Sequence, residues 1–566
     1  MVKDALHERK EFSSMKNLIE EGAEMYKGRI AYSFRKKPTD AEAVKIGFEQ
    51  VRDDVRALTT ELLSRGYTGK HCAVIGKNSY EWFISYFSIL SAGGVIVPLD
   101  RDWLAPDLAD TVKKADCEFL FCDPDLAEKA EVIKANCNIP AAVLISGETG
   151  EETESIADLV MLGREKYKND PTLYESYEAD VDKMSILVFT SGTTGKGKGV
   201  MLTQRAVLSD MADSIQFIDF SQKSVCVLPP HHTFGSSVMI VGHYSIGSEV
   251  YISAGIRYVQ RELKAEKPGH LVLVPLYLET FYRKILANIK EQKKEKLVAR
   301  MMKLSNFLRK FGIDLRKKLF GQIREAFGGE LKTVISGGAP LNKEIVDFFD
   351  GIGITTLNGY GITECAPIIA VNHSKRNIPG SVGPVLGIDA VKIAEPNEDG
   401  EGEICVKGSN VMLGYFKDEE ATRDAFDEEG FFKTGDYGKI GKGGALFITG
   451  RKKNLIILSN GKNVYPEEIE NELIAVPGIL EIIVYEGQSK RGMEHNAIVA
   501  EVYPDKDYIE KNGITDVKAH IQPYVNEYNR TAVPYKKIAI LKVREDEFPK
   551  NTLRKIMRFK IDMTID

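Results

Sequence analysis

Short apolar runs alternate with longer polar or amphipathic stretches from Lys70 to about Thr449. Parallel strands need a long crossover connection, usually a helix, so this alternation predicts parallel α/β units. Neither a repeat period nor a low-complexity tract interrupts the pattern. The runs expected to form strands are HCAVIG, EFLFC, AAVLIS, SILVFT, VCVLP, EVYIS, HLVLVP and TVISGG.

The pattern changes at two places further along the chain. From about Ala390 the runs AVKIAE, GEICVKG and GALFITG follow one another closely with glycine turns, which predicts a small antiparallel, barrel-like subdomain over 390–450. After Gly450 the runs LIILSN, ILEIIVYEG, NAIVAEVYP and KIAILKV surround a helix opened by Pro466. We therefore expect an α/β chain with a large multi-layer N-terminal domain and a compact α+β C-terminal domain.

Composition and charge exclude several classes of protein. The 566 residues are 43% hydrophobic with a net charge of −6, which fits a folded chain and excludes a broadly basic nucleic-acid binder. Seven cysteines without CxxC spacing indicate neither a disulfide framework nor a zinc site. The N-terminus lacks the apolar core of a signal peptide, and no apolar run approaches the roughly 20 residues that span a bilayer. We expect a cytoplasmic protein whose membrane contacts are peripheral.

The segment 283–330 has an unusual local charge, with 14 Lys or Arg against 5 Asp or Glu. It also carries apolar residues at helical spacing, namely Leu297, Met301, Leu304 and Leu308. Two explanations fit this pattern. The segment is a solvated helix face, or it is a surface that contacts a membrane peripherally or binds an anionic substrate.

The stretch ILVFTSGTTGKGKGVMLT, residues 186–203, predicts a phosphate-binding loop after a buried strand. Glycines let backbone N–H groups turn toward a phosphate, hydroxyls add donors and lysines add positive charge. A Walker A loop needs Ser or Thr after its lysine, whereas Gly199 follows Lys198, so a P-loop ATPase is a minor alternative. The predicted phosphate-binding residues are Thr190, Ser191, Gly192, Thr193, Thr194, Gly195, Lys196 and Lys198.

Further motifs follow this loop in a fixed order: LPPHHTFG (228–235), SGGAPL (336–341), NGYGITE (358–364), TGD (434–436), GRKKNLIILSNGKNVYPEEIE (450–470) and PKNTLRKIMR (549–558). With the loop they resemble the motifs of the adenylate-forming superfamily, which includes acyl-CoA synthetases, peptide-synthetase adenylation domains and beetle luciferase. The resemblance covers essentially the whole chain. It implies a large domain over 1–450, a hinge at 451–453 and a mobile C-terminal domain over 454–566.

The resemblance also implies which residues bind ATP. Tyr360 is suited to stack its ring on adenine, Asp436 to accept hydrogen bonds from the ribose hydroxyls, and Arg451 to donate to the same sugar. Thr363 is placed to donate to the α-phosphate, and Glu364 to bind Mg²⁺. The other residues of the two adenine motifs are Gly337, Gly338, Ala339, Pro340, Asn358, Gly359 and Gly361.

The remaining implied roles concern catalysis and the second half-reaction. His232 occupies the position beside the substrate carboxylate, while its neighbour His231 is assigned a structural role. Lys555 corresponds to the catalytic lysine, Lys453 to the hinge and Gly461 to the thiol tunnel. Two positions depart from the family pattern: Arg554 replaces the usual glycine before the lysine, and Asn454 stands where an acidic residue is common.

The implied reaction joins a carboxylic acid to a thiol in two steps, with ATP, Mg²⁺ and coenzyme A. The stretch TFGSSVMIVGHYSIG has no acid to hold the ammonium of an amino acid, and its small apolar residues fit a hydrophobic acyl pocket. We therefore expect a medium- or long-chain fatty acid–CoA ligase. The alternatives are an acyl-carrier-protein ligase that uses a separate carrier, an aryl- or bile-acid–CoA ligase, and a binding protein that has lost catalysis.

Overall fold

The computed structural model describes residues 5–146, 154–190, 197–458, 463–488, 497–550 and 556–565. In chain order, the strands are β1 (Ile30–Phe34), β2 (Val44–Gly47), β3 (His71–Ile75), β4 (Val95–Leu99), β5 (Cys117–Cys122), β6 (Ala142–Leu144), β7 (Met184–Thr190), β8 (Lys198–Thr203), β9 (Lys223–Cys226), β10 (Glu249–Ile252), β11 (His270–Leu273), β12 (Thr333–Ser336), β13 (Thr355–Gly361), β14 (Ile368–Val371), β15 (Gly383–Pro384), β16 (Asp389–Ala394), β17 (Gly402–Gly408), β18 (Gly414–Tyr415), β19 (Phe432–Ile440), β20 (Ala445–Arg451), β21 (Ile456–Ile457), β22 (Asn463–Val464), β23 (Ile479–Gly487), β24 (Ala497–Pro504) and β25 (Ile540–Val543).

The helices alternate with these strands over most of the chain. In chain order they are α1 (Met15–Met25), α2 (Phe48–Ser64), α3 (Tyr80–Ser91), α4 (Ala105–Lys114), α5 (Ala127–Cys137), α6 (Ile156–Asn169), α7 (Thr172–Glu175), α8 (Gln204–Ser214), a π-helix (Phe234–Gly242), α9 (His243–Ser245), α10 (Val259–Glu266), α11 (Pro275–Glu291), α12 (Glu295–Arg309), α13 (Arg316–Leu319), α14 (Gly321–Arg324), α15 (Lys343–Gly351), α16 (Glu419–Ala425), α17 (Pro466–Leu473), α18 (Lys506–Lys511) and α19 (Val517–Thr531).

Three mixed sheets form the large N-terminal part of the molecule. Their strand orders are β18-β8-β7-β4-β3-β5-β6, β2-β1-β10-β9 and β11-β12-β13-β14. The inner strands pair in parallel, whereas β2, β8, β14 and β18 add antiparallel edges. Each of the eight apolar runs predicted from the sequence contributes one of the strands, and the predicted α/β fold class is confirmed.

The β7–β8 hairpin and the ends of β12 and β13 carry three of the sequence motifs. Thr190, at the end of β7, pairs in register with Lys198 at the start of β8. Ser336 and Asn358 are neighbours in register across β12 and β13. Because β12 and β13 are parallel, the two adenine motifs leave their sheet at the same edge. Register in the sheets thus places motifs that lie far apart in sequence beside one another.

An antiparallel five-stranded sheet follows, in the order β15-β20-β19-β17-β16. It begins at Gly383, slightly before the predicted start at 390, and ends at Arg451. The C-terminal part contains the sheet β23-β24-β25, against which α17 and α19 pack. Helix α17 begins at Pro466 as predicted, since proline suits the first turn of a helix.

Helix α12 presents apolar side chains on both of its faces. Met301 and Met302 pack inward against the core, whereas Leu297, Leu304 and Phe307 are 53%, 53% and 57% exposed. The predicted apolar positions are therefore divided between the core and the surface. Throughout the described ranges, no helix is both long and apolar enough to cross a membrane.

Candidate active site

A single connected cavity of about 2460 Å³ opens where the parallel sheets, the antiparallel sheet and the C-terminal part meet. Ligand pockets commonly measure about 300–1,000 Å³, so this one has room for a nucleotide and a second substrate. Every predicted site residue that the structure describes lines it, namely Thr190, Lys198, His232, Gly337, Gly338, Ala339, Pro340, Asn358, Gly359, Tyr360, Gly361, Thr363, Glu364, Asp436, Arg451 and Lys453. Outside the described residues lie Ser191, Gly192, Thr193, Thr194, Gly195, Lys196, Gly461 and Lys555.

Asp436 is the centre of a polar cluster at the wall of this cavity. It lies on β19 opposite Arg451 on β20 and is only 3% exposed. The Tyr360 hydroxyl donates to Asp436 Oδ2 at 2.7 Å, and Arg451 Nε lies 2.9 Å from Oδ1. Burial, followed by the charge of Asp436, raises the pKa of Tyr360 well above its ordinary value, so this phenol remains a hydrogen-bond donor. Three motifs thereby meet at one carboxylate.

Glu364 lies on a second wall, in the 3₁₀ turn Thr363–Cys365. The hydroxyl of Tyr415 donates to Glu364 Oε1 at 3.0 Å. The Lys198 ammonium lies 4.5 Å from the centre of the Tyr415 ring, which links this turn to β8, the strand that follows the predicted phosphate-binding loop. Burial raises the pKa of the Glu364 carboxyl above its ordinary value, because a charge here is poorly solvated.

The surroundings of Glu364 fit Mg²⁺ bound together with a substrate phosphate. Mg²⁺ is usually held by one or two carboxylates, phosphate oxygens and water, and Glu364 supplies one such carboxylate. Within the described part of the chain, no group of three or more His, Cys, Asp or Glu side chains forms a metal site of its own. A cation at Glu364 would therefore need phosphate ligands, and it would stabilise this buried charge.

Two buried polar atoms at the edge of the β12–β13 pair are placed for a ligand. Ser336 Oγ and Asn358 Oδ1 have no hydrogen-bond partner among the described residues, and both side chains line the cavity. A buried polar group without a partner costs about 1–3 kcal/mol. A bound nucleotide that supplies the missing hydrogen bonds would remove this cost.

Two glycines of the adenine motifs are required by geometry. Gly338 has φ +84°, a backbone conformation that residues other than glycine rarely adopt. A Cβ atom on Gly361 would lie only 1.8 Å from the carbonyl oxygen of Pro367. Substitution of either glycine would therefore displace the backbone that borders the cavity.

The two adjacent histidines of the LPPHHTFG motif occupy different environments. His232 lines the cavity, and its carbonyl accepts a hydrogen bond from Ser236 N at 2.8 Å at the start of the π-helix. His231 is not among the residues that line the cavity; its ring centre lies 4.7 Å from that of His232, and its Nε2 lies 3.4 Å from Asp100 Oδ2. The geometry thus separates a histidine facing the cavity from one that packs against the sheet.

The predicted acyl-pocket stretch forms the π-helix, which is almost wholly buried. Its residues that line the cavity are Phe234, Gly235, Val238 and Gly242, with no acidic side chain among them. A site for the ammonium of an amino acid requires an acid, so this wall suits an apolar acyl group.

Lys453, the predicted hinge residue, lies near both cationic and anionic side chains, and Asp436 and Glu467 oppose the effect of the cations on it. Burial, followed by the positive charges of Arg451 and Arg558, lowers the pKa of Lys453 below its ordinary value. Arg558 is ion-paired with Glu470 and donates to the carbonyl of Val484 at 2.8 Å. The segment that follows Lys555 is thereby anchored to the C-terminal sheet beside the cavity.

Comparison with known proteins agrees with this geometry. The model of the family described as AMP-binding enzyme matches residues 19–416, more than two thirds of the chain. The chain belongs to the AMP-binding enzyme family. Members of this family include AMP-forming acid–thiol ligases, and the activity of the chain is adenylation of the acyl-CoA ligase type.

Two curated relatives and one solved structure illustrate the range of similar AMP-binding enzymes. Long-chain-fatty-acid–CoA ligase 5 of Mus musculus is 30% identical over 82% of this chain and 71% of its own length. The long-chain-fatty-acid–acyl-carrier-protein ligase AEE15 of Arabidopsis thaliana is 27% identical over 86% and 76%. ATP-bound MatB from Rhodopseudomonas palustris is 23% identical, covers 96% of this chain and 97% of its own, and has a TM-score of 0.74. The last likeness shows the shared fold.

Some residues of the site were not predicted from the sequence. Tyr415 lies outside the quoted motifs, yet its hydroxyl holds Glu364. Thr434 Oγ1 accepts from Asp436 N at 3.1 Å and donates to the carbonyl of Ile404 at 2.8 Å, which fixes the turn of the TGD motif. A threonine two positions before an aspartate is a local turn signal, and it identifies the contact between Thr434 and Asp436. No local signal identifies the contact between Tyr415 and Glu364.

Proposed function

We propose that this AMP-binding enzyme activates a medium- or long-chain fatty acid and transfers it to coenzyme A. A carboxylate oxygen attacks the α-phosphorus of ATP, the bond to the β-phosphate breaks, and pyrophosphate leaves with the formation of acyl-AMP. The sulfur of the thiol then attacks the acyl carbonyl carbon, AMP leaves, and the thiol proton passes to solvent. The products are acyl-CoA, AMP and pyrophosphate.

The observation that carries the fatty-acid assignment is the continuity of the cavity. The nucleotide end with Asp436 and Tyr360 is connected to an inner arm lined by Met211, Ile215 and Val238. These three side chains are buried in the core. An acid bound with its carboxylate at the nucleotide end would therefore bury its tail among apolar side chains, which contributes about 0.8 kcal/mol per methylene.

The polar residues are assigned to ATP and to the reacting carboxylate. Asp436 would accept from the ribose, Arg451 would donate to it, and Tyr360 would stack on adenine. Thr363 would donate to the α-phosphate and His232 would border the carboxylate. When bound at Glu364, Mg²⁺ would supply positive charge to the phosphates.

Lys555 and the hinge are assigned to the alternation between the two half-reactions. A positioned ammonium offsets the repulsion between a carboxylate and the α-phosphate, so Lys555 would act in adenylation. We propose that the C-terminal domain, residues 454–566, rotates about Lys453 relative to residues 1–450. The rotation would withdraw Lys555 and present Gly461 to the incoming thiol.

One product assay tests both the proposed thiol acceptor and the proposed carboxylic acid substrate. AMP release and thioester formation are measured with coenzyme A or a purified acyl carrier protein, using straight-chain, aromatic and sterol acids. We expect coenzyme A and straight-chain acids to give the highest kcat/KM. A preference for the carrier protein, the acceptor named for the Arabidopsis relative, or for aromatic or sterol acids would overturn the corresponding part of the proposal.

We also propose that α12 contacts a membrane surface that supplies the acid. Its exposed apolar residues Leu304 and Phe307 lie on the same helix as the exposed cations Lys296, Arg300 and Lys303. Such a combination binds anionic interfaces through apolar burial and about 1 kcal/mol per nearby cation. The charge pattern therefore favours an anionic lipid surface.

The double variant Leu304→Glu/Phe307→Glu should weaken binding to vesicles containing phosphatidylglycerol by about tenfold, since it replaces apolar contacts with like charges. Co-sedimentation measures the effect. Met161→Glu is the matched control, because Met161 is similarly exposed, at 58%, but lies on α6. Equal binding of the wild type and the double variant, or no binding by the wild type, would contradict the membrane assignment.

A further inference from the structure

An inner arm of the cavity is lined by His243, whose ring is hydrogen-bonded to His270. The arm is defined here by Met211, Ser214, Ile215, Ile218, Phe220 and His243, all of which line the cavity. His243 is fully buried, and Met211, Ser214, Ile215 and Ile218 are no more than 4% exposed. The arm is therefore lined mainly by buried side chains. His243 belongs to its wall, and His270 lies directly behind His243.

The hydrogen bonds of this histidine pair define one arrangement of protons for two neutral rings. The carbonyl of Val238 can only accept, so His243 Nδ1 carries a proton and donates to it at 2.7 Å. His243 Nε2 must then accept from His270 Nε2 at 2.8 Å. His270 Nδ1 is left as an acceptor for Ser221 N at 3.2 Å. Every ring nitrogen of the pair has a partner within the protein.

These contacts hold the His243 ring in one position. The two imidazoles are nearly coplanar, with 17° between their planes and their centres 5.0 Å apart, as the hydrogen bond between their Nε2 atoms requires, and Phe220 packs edge-on against both. Rotation of His243 would leave buried donors and acceptors unpaired, at about 1–3 kcal/mol each. Burial lowers the pKa of His243 to about 4 and that of His270 well below its ordinary value, so both rings are neutral near pH 7.

The side walls of the inner arm are more adaptable than the fixed ring of His243. Met211 has an unbranched, flexible side chain that adapts to the shape of a ligand. Gly242, which precedes His243, has no side chain, and a Cβ atom there would lie 3.0 Å from Met211 Sδ. The sides can thus adjust, whereas the histidine end cannot.

We propose that the histidine pair His243–His270 is the terminal wall of the acyl pocket and sets the longest straight chain that the enzyme accepts. The inference rests on the proposed fatty-acid substrate and specifies its tail as an unbranched hydrocarbon whose methyl end packs on the His243 ring. Both ring nitrogens of His243 are hydrogen-bonded within the protein. The surface that the ring presents to the acyl chain therefore consists of carbon atoms and C–H groups. The pair acts by fixing depth and takes no part in proton transfer.

The test compares kcat/KM for saturated acids from octanoic to eicosanoic acid within each variant. His243→Ala removes the wall, so the acid two carbons longer than the wild-type optimum should gain about tenfold relative to that optimum. Gly242→Ala adds a methyl group to the arm, and the longest acid accepted by the wild type should lose about tenfold relative to shorter ones. Such ratios do not depend on the fraction of folded enzyme.

Met211→Ala is the volume control, since it widens the arm without removing its end. We expect it to change the chain-length ratio by less than about threefold. The inference is overturned if His243→Ala and Gly242→Ala leave the ratio unchanged, or if Met211→Ala lengthens the preferred acid as much as His243→Ala does. Failure of the wild type to activate any fatty acid would overturn the proposed function instead.

Discussion

Asp436→Asn should lower kcat/KM for ATP in pyrophosphate exchange by about 100-fold, which corresponds to about 2.7 kcal/mol. The amide keeps the shape of the side chain but removes the charge that pairs with Arg451 Nε at 2.9 Å. It also replaces one acceptor oxygen with an NH₂ group, which cannot accept a hydrogen bond from a ribose hydroxyl. The proposed ribose site thus loses both its charge and one of its acceptors.

Asp427→Asn is the matched control for this substitution. Asp427 lies between β17 and β19 and pairs with Lys392 at 2.9 Å, away from the residues that line the cavity. Surface pairs contribute about 0–1 kcal/mol, so the control should keep its kcat/KM within about threefold of the wild type. If Asp436→Asn remains folded and equally active, the proposed ribose site is wrong.

Lys555→Ala should lower the rate of acyl-adenylate formation by about 1000-fold while sparing the second half-reaction. The ammonium is proposed to stabilise charge only while the carboxylate attacks the α-phosphate, and loss of one such group costs about 10²–10³ in rate. Thioester formation from supplied acyl-AMP should change by less than about threefold. Single-turnover measurements of the two half-reactions separate these effects.

The nearby Lys550 tests whether the lysine motif is correctly aligned. Lys550 is ion-paired with Glu481, and with Glu547 at 2.8 Å, so its ammonium is already engaged in the C-terminal part. Lys550→Ala should therefore retain most of the adenylation rate. Equal loss in both half-reactions for Lys555→Ala would contradict the alternation of domains, and a larger adenylation defect in Lys550→Ala would contradict the assignment of Lys555.

Hydrophobic patterning predicted much of the parallel architecture, but it missed β4. This strand, Val95–Leu99, is wholly buried between β3 and β7 and contains Pro98. Proline cannot donate a ladder hydrogen bond and usually argues against a central strand. Here β4 pairs in register with β7 only at Ile96 and Ile186, so the missing N–H is tolerated. Such tolerance depends on the neighbouring strand and is invisible in a local pattern.

The candidate site was predictable where motifs carry its residues and unpredictable where distant segments meet. Ordered motifs identified Tyr360, Asp436 and Arg451, although their common hydrogen-bonded cluster appears only in the fold. His243 lies in the stretch TFGSSVMIVGHYSIG and His270 begins the run HLVLVP, but neither histidine was predicted as a site residue, and the two meet because the π-helix ends beside β11. Neither residue carries a sequence signal that distinguishes it from a histidine elsewhere in the core.

The measurement that tests the proposed chemistry most directly is ATP–pyrophosphate exchange without any thiol. Labelled pyrophosphate should enter ATP only when a fatty acid and Mg²⁺ are both present, because reversal of the first half-reaction requires acyl-AMP. Asp436→Asn and Lys555→Ala should each reduce this exchange. If no carboxylic acid supports exchange at any concentration while the protein still binds ATP, the proposed enzymatic function is contradicted.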